Sequence, residues 1–316
     1  MQFFDTEQTR AQLNFTSLVP ALRQAFAEGA SVPLRHTHQI ESQGVHGTCL
    51  IMPAWNQAGY FGIKTINIFP ANSRRGLPGL HATYVLYDGT TGVPLALVDG
   101  DEVTAHRTAG AAALGASFLA RKNAGRLLLV GAGRIGKLVP YGMRTVRDIT
   151  HVDVWNPNQA RADALVAQLN ADGFTAQRVD DLEPAARQAD IISCATLSEA
   201  TLIQGRWLRP GTHLDLIGSF APRMKETDAD CFAGKEVFVD TDEAALKSGD
   251  LLDAFASGRF RKEDIRANLE QLCRGQHPGR RDDEAVTVFK AVGSALEDLT
   301  GAVLVYEALA GIRRRP

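Results

Sequence analysis

No apolar run in this chain approaches the roughly 18 residues that a bilayer crossing needs. The stretch MQFFDTEQTR has no apolar centre of the kind an export signal carries. Blocks of like charge are equally absent: 34 basic and 36 acidic residues are interspersed, for a net charge of -2. That balance argues against a nucleic-acid or anionic-membrane partner, which a basic stripe or patch would signal. The short run IRRRP is read as a solvated basic tail. Cysteine is scarce, and Cys49, Cys194, Cys231 and Cys273 are scattered without a CxxC, so reduced thiols in a cytoplasmic protein are expected. The nearest approach to a metal motif is His36 and His38 in LRHTHQ; no second cluster has ligand spacing, and no metal is expected.

At 316 residues the chain exceeds what one core usually supports, which suggests two domains. NFTSLVPALRQAFAEG places Leu18, Leu22, Ala25 and Phe26 on one helical stripe, with Gly29 as its stop. SVPLRHTH, GTCLIMPAW, YFGIKTINIFP, LHATYVLYD and VPLALVD follow as short extended segments over brief connections, the pattern of an antiparallel sheet. DGDEVTAHRTAGAAALGASFLARKNAG reads as a helix with acids in its first turn. From Arg126 the rhythm becomes strand, helix, strand. RLLLV leads through a glycine loop into a helix expected to reach about Arg147, and HVDVW, FTAQRV, DIISCA, HLDLIG and EVFVD supply further strands. Strands spaced by helices predict a parallel doubly wound sheet. The stretch DEAVTVFKAVGSALEDLTGAVLVYEALAG is expected to be helical and to return to the first domain.

The glycine loop, Gly131-Ala132-Gly133-Arg134-Ile135-Gly136, follows a strand and precedes a helix, the context in which GxGxxG has physical meaning. The first glycine makes the tight turn, the second lets backbone approach a pyrophosphate, and the third lets helix and strand pack closely. At the end of the next strand an NAD site carries Asp or Glu for the ribose hydroxyls; here stands Asn156, with Arg161 one turn into the following helix. A neutral amide and a nearby guanidinium predict NADPH, with NADH as the alternative.

Two cations sit oddly in the first domain. Lys64 alternates in register with Ile66 and Ile68 and so shares their apolar face, although lysine is rarely buried unpaired. Arg107 falls on one helical stripe with Val103, Ala111 and Leu114. A buried guanidinium needs an anion, either a structural carboxylate or that of a substrate. Arg35 in VPLRHT is a weaker third candidate.

GIKTINIFPAN, TGVPLALVDGDEVTAHRTAGAAALGASFLA, LLLVGAGRIG and VFKAVGSALEDL together resemble the ornithine cyclodeaminase and mu-crystallin family. The resemblance runs over nearly the whole chain and is most specific from Thr91 to Gly136. It implies an α/β protein in which a Rossmann domain, residues 120–300, is inserted in an α+β substrate and dimerisation domain, residues 1–119 plus 301–316. It further implies that Lys64, Arg107 and Arg35 bind substrate and that Gly131, Gly133, Arg134, Ile135 and Gly136 hold the pyrophosphate. Asn156 matches the ribose position, Val292 and Gly293 lie in the segment approaching the nicotinamide, and a homodimer is expected.

One departure bears on the reaction. The family's cyclodeaminases carry a catalytic aspartate in a loop resembling GGDCPGK, whereas this chain has IGSFAPRMKETD with Phe220 at about that place. Phenylalanine takes no proton, and GSFAP resembles the loop of the family's ketimine reductases. The expected function is NAD(P)H-dependent reduction of cyclic α-imino acids, Δ1-pyrroline-2-carboxylate to proline and Δ1-piperideine-2-carboxylate to pipecolate. The alternatives are an ornithine cyclodeaminase, an alanine-type dehydrogenase, or a non-enzymatic ligand carrier of mu-crystallin type. In the reductase, Lys64 either donates the proton that activates the imine or holds the carboxylate.

Overall fold

The structure, a computed structural model, describes Met1–Ile312; the basic tail at 313–316 lies outside the described residues. The chain forms two compact units, Met1–Arg107 with Ser294–Pro316, and Thr108–Gly293. The boundaries expected from the sequence, 119/120 and 300/301, lie elsewhere. A single helix, Gly100–Leu119, runs through the first of these junctions, so no loop or composition change marks it.

In the first unit the strands His36–Ser42, Val45–Trp55, Tyr60–Ile68, Leu80–Asp88 and Pro94–Asp99 form an antiparallel run in chain order. A short strand that the pattern does not announce, Gln2–Phe4, adds to Pro94–Asp99 in parallel, making six strands. Alternation sorts the side chains by face. Met52, Ala54, Lys64, Ile66, Tyr84, Leu86 and Val98 are buried, while Ile51, Ile63, Val85 and Leu97 on the opposite face are half-buried. The helix Phe15–Glu28 starts on an Asn14 side-chain cap and ends at Gly29, and it packs against the helix Ala295–Leu309. Ala295–Leu309 also packs on Val45–Trp55 and Tyr60–Ile68.

The second unit is a Rossmann-like parallel sheet of eight strands. Their order across the sheet is Ala267–Asn268, Glu236–Val239, Thr287–Lys290, His213–Leu216, Ile191–Cys194, Arg126–Val130, His151–Trp155, Thr175–Arg178. From Arg126–Val130 the chain steps first to one side, through His151–Trp155 and Thr175–Arg178, and then to the other, through Ile191–Cys194. The point of reversal is where such sheets open a crevice at the strands' carboxyl ends.

The stretch from Asp283 is not helical throughout: Thr287–Lys290 is a fully buried strand between His213–Leu216 and Glu236–Val239, and the helix begins only at Ala295. A short apolar run buried on both sides looks the same to periodicity as a buried helix. The helix after the glycine loop also falls short of Arg147: a 3-10 turn, Gly136–Leu138, leads into Val139–Arg144. Among the described residues, no helix is long and apolar enough to cross a membrane.

Candidate functional site

The glycine loop is built as its spacing requires. Gly131 has φ +110°, its N–H donates to Trp155 O at 2.8 Å, and a Cβ there would lie 2.7 Å from Ala195 O. At Gly136 a Cβ would meet Gly131 O at 2.0 Å, so only glycine lets the turn close on itself. Gly133 is the opposite case: a Cβ would meet nothing within 4 Å. Its bare backbone therefore faces open space at the crevice, which suits an approaching phosphate. Arg134 is exposed and Ile135 half-buried beside it.

Asn156 stands at the end of the adjacent strand, and its amide is engaged at both ends. Its Oδ1 accepts from Ala132 N at 3.0 Å, and its Nδ2 donates to Asn158 O at 2.9 Å. Asn156 thus braces the glycine loop against the start of the helix Gln159–Ala171, which Asn158 caps. Arg161 is exposed in that helix's first turn. Val292 and Gly293 lie just beyond the strand Thr287–Lys290. Their N–H groups both donate to Asp240 Oδ2, at 2.8 and 2.6 Å, fixing the segment by a buried carboxylate absent from the sequence reading.

Phe220 is half-buried against the second unit's apolar core. Its loop hangs on Glu226, whose Oε2 accepts from Gly218 N at 3.0 Å and Ser219 N at 3.2 Å. Glu226 Oε1 takes the Thr196 N–H and hydroxyl, both at 2.8 Å. One fully buried carboxylate therefore fastens the loops that follow two neighbouring strands.

In the first unit the two odd cations converge. Lys64 is fully buried, and its Nζ lies 2.6 Å from Asp298 Oδ2. Arg107 donates through Nε to Asp298 Oδ1 at 2.8 Å and through Nη1 to Glu297 Oε2 at 2.8 Å. Asp298 is thus shared, one oxygen to each cation. Both acids sit in the first turn of Ala295–Leu309, where the helix dipole favours negative charge. The four side chains form a neutral buried quartet, so the anion that Arg107 demanded is, in the first place, structural.

Burial pushes the Lys64 ammonium down to about 8; Asp298 resists that fall and Arg107 adds to it. Burial also opposes the charges on Arg107 and Asp298, but their mutual attraction wins, holding the guanidinium above and the carboxyl below their ordinary ranges. Tyr84 lies directly opposite Lys64 in the ladder and is fully buried. Its hydroxyl has no hydrogen-bond partner among the described residues, and burial, with the charge of Asp298, drives its pKa well up. A buried donor without an acceptor is uncommon, and this one stands opposite Lys64.

Arg35 is not part of the quartet. It is half-buried just before His36–Ser42, one step beyond the pair His36 and Ile51; the next rung is Met52, which pairs with Lys64. Arg35 itself lies outside the strand and has no ladder partner. His36 and His38 are exposed on that edge strand.

The family model for ornithine cyclodeaminase/mu-crystallin matches residues 2–312. The chain belongs to this family. It is 34% identical to a Δ1-pyrroline-2-carboxylate reductase of Colwellia psychrerythraea over 98% of this chain and 100% of that one. Among solved structures, Thermococcus litoralis Δ1-pyrroline-2-carboxylate reductase in complex with NADH and L-proline superposes with a TM-score of 0.92 at 28% identity, covering 100% of both chains. An archaeal alanine dehydrogenase dimer with bound NAD gives 0.91 at 28% identity, covering 100% of this chain and 98% of that one.

Proposed function

We propose that the protein reduces cyclic α-imino acids, Δ1-pyrroline-2-carboxylate to proline and Δ1-piperideine-2-carboxylate to pipecolate, with a reduced nicotinamide dinucleotide. The proposal rests above all on Lys64, a fully buried ammonium that has one carboxylate neighbour and protons to spare. Gly131, Gly133, Arg134, Ile135 and Gly136 hold the pyrophosphate, Asn156 and Arg161 serve the adenosine ribose, and Val292 and Gly293 serve the nicotinamide. When bound, the cofactor supplies a hydride to C2 of the imine.

The chain's own residues do the rest. Arg107, anchored by Glu297 and Asp298 through Nη1 and Nε, presents Nη2 to the substrate carboxylate, and Arg35 reaches the same group from along the sheet. Lys64 donates a proton to the imine nitrogen, which makes C2 electrophilic, and recovers it from solvent after turnover. Tyr84 offers its hydroxyl as a further donor. The relatives named as reductases of Δ1-pyrroline-2-carboxylate, and Phe220 in place of an acid, favour this reaction over cyclodeamination.

The test is a panel of cyclic imines, 2-oxo acids with ammonia, and ornithine, each with NADH and NADPH. Turnover is expected with the imines and not with ornithine, and Phe220→Asp alone is expected to leave ornithine unreactive. Robust conversion of ornithine to proline by the unmutated protein overturns the assignment.

For the cofactor we infer a higher kcat/KM with NADPH than with NADH. No carboxylate stands at the Asn156 position to repel a 2′-phosphate, and Arg161 is exposed nearby. Asn156→Asp keeps the acceptor for Ala132 N but adds a negative charge, so it should flatten or reverse the preference. Steady-state kinetics that show a clear NADH preference in the unmutated protein sink this inference.

We also infer a cytoplasmic homodimer. Four free cysteines suit a reducing compartment, and the half-buried face of Ile51, Ile63, Val85 and Leu97, with Trp55 44% exposed, suits a second copy. Light scattering that gives the 34.1 kDa monomer mass counts against the dimer.

A further inference from the structure

Lys64, Arg107 and two acids make one cluster, yet the acids do different work. Glu297 Oε2 contacts Arg107. Asp298 divides its carboxylate, Oδ1 to Arg107 Nε and Oδ2 to Lys64 Nζ. Among the described residues, Asp298 is the only ion-pair partner of Lys64.

We propose that Asp298 is the positioning residue of the proton donor: it holds the Lys64 ammonium in place and in its charged form while steadying the guanidinium that binds substrate. This rests on Lys64 as the donor to the imine.

Every group facing Lys64 bears on its proton. From Ala295–Leu309 come Asp298 and, farther off, Glu297; from Gly100–Leu119 comes Arg107; from the neighbouring strand comes the neutral hydroxyl of Tyr84. Burial and Arg107 both work against the ammonium, and Asp298 is the larger of the two acids' contributions in its favour. Replacing Asp298 by an amide removes that support and turns the local balance from neutral to positive. The guanidinium keeps Glu297, so the variant retains an anchored clamp while the ammonium loses its partner. That separation makes the role testable.

The experiment is the pH dependence of kcat/KM for Δ1-pyrroline-2-carboxylate reduction in the unmutated enzyme, Lys64→Met, Asp298→Asn and Glu297→Gln. In the unmutated enzyme the rate should fall as pH rises through about 8, where the ammonium loses its proton. That limb should be absent in Lys64→Met. In Asp298→Asn it should move at least one pH unit lower, costing about fivefold at pH 8 and about tenfold well above it (one pH unit is one factor of ten), with a smaller move in Glu297→Gln.

A limb that persists in Lys64→Met overturns Lys64 as donor, and the proposal with it. A limb that disappears in Lys64→Met but stays in place in Asp298→Asn overturns only the role of Asp298. If Asp298→Asn does not fold, NMR of the unmutated protein decides instead. The Asp298 carboxyl carbon should shift with the same midpoint as the Lys64 side chain, and independent titrations overturn the proposal.

Discussion

Lys64→Met is expected to lower kcat/KM for cyclic imines by about 10²- to 10⁴-fold, the range that general acid catalysis supplies. Methionine matches the length of the lysine stem and tolerates the buried site, but it carries no proton. Asp298 keeps Arg107 as a partner, so the carboxylate is not stranded and the fold should survive. The glycine loop lies in the other compact unit, so dinucleotide affinity, measured by fluorescence titration, should not change. Activity within about threefold of the unmutated enzyme would mean that the imine arrives already protonated and that Lys64 only binds.

Arg107→Ala should strike both stability and activity. It leaves two fully buried acids, Glu297 and Asp298, against one buried cation, Lys64, which is ion-paired to Asp298. Removing one partner from a buried ion pair costs about 3–5 kcal/mol, because a charge remains without compensation. That cost should lower the melting temperature by roughly 10 °C. Where the variant still folds, kcat/KM should fall at least about tenfold through loss of the carboxylate contact, with little change in cofactor affinity. Arg107→Lys should recover little of either, since one ammonium cannot reach two acids and a substrate as a fork does. Calorimetry and steady-state kinetics together check this. A variant with an unchanged melting temperature and near-normal kcat/KM would place the clamp elsewhere.

Both cations were legible because each breaks a local rule. Lys64 sits in phase with Ile66 on the face that alternation buries, and Arg107 sits on the apolar stripe of an uncharged helix. Their acids break none. In SALEDL, Ser294 reads as a cap and Glu297 and Asp298 as acids that suit a first turn, a complete local explanation that hides a second role. Ser294 does cap Leu296 N, while Glu297 turns to Arg107. Tyr84 looked like any aromatic in a strand, since only the ladder register sets it opposite Lys64. The turn of the glycine loop was readable because it is local: Gly131 takes a positive φ and Gly136 closes on the Gly131 backbone. Arg35 remained the weakest candidate for the opposite reason: it precedes its strand, where alternation assigns no face.

The quartet also has a history within each molecule's synthesis. Arg107 and its acids are 190 and 191 residues apart, and the whole of Thr108–Gly293 is made between them. At about 5–20 residues per second, Lys64 and Arg107 leave the ribosome about 10 to 40 s before their counter-charges exist. Through that interval the first sheet cannot close over two bare cations without a severe desolvation cost. The second unit has all its strands before the first has its final helix, so it is free to fold first. In a nascent chain the first unit is therefore expected to wait on the last helix, its core forming only when the acids arrive to neutralise it.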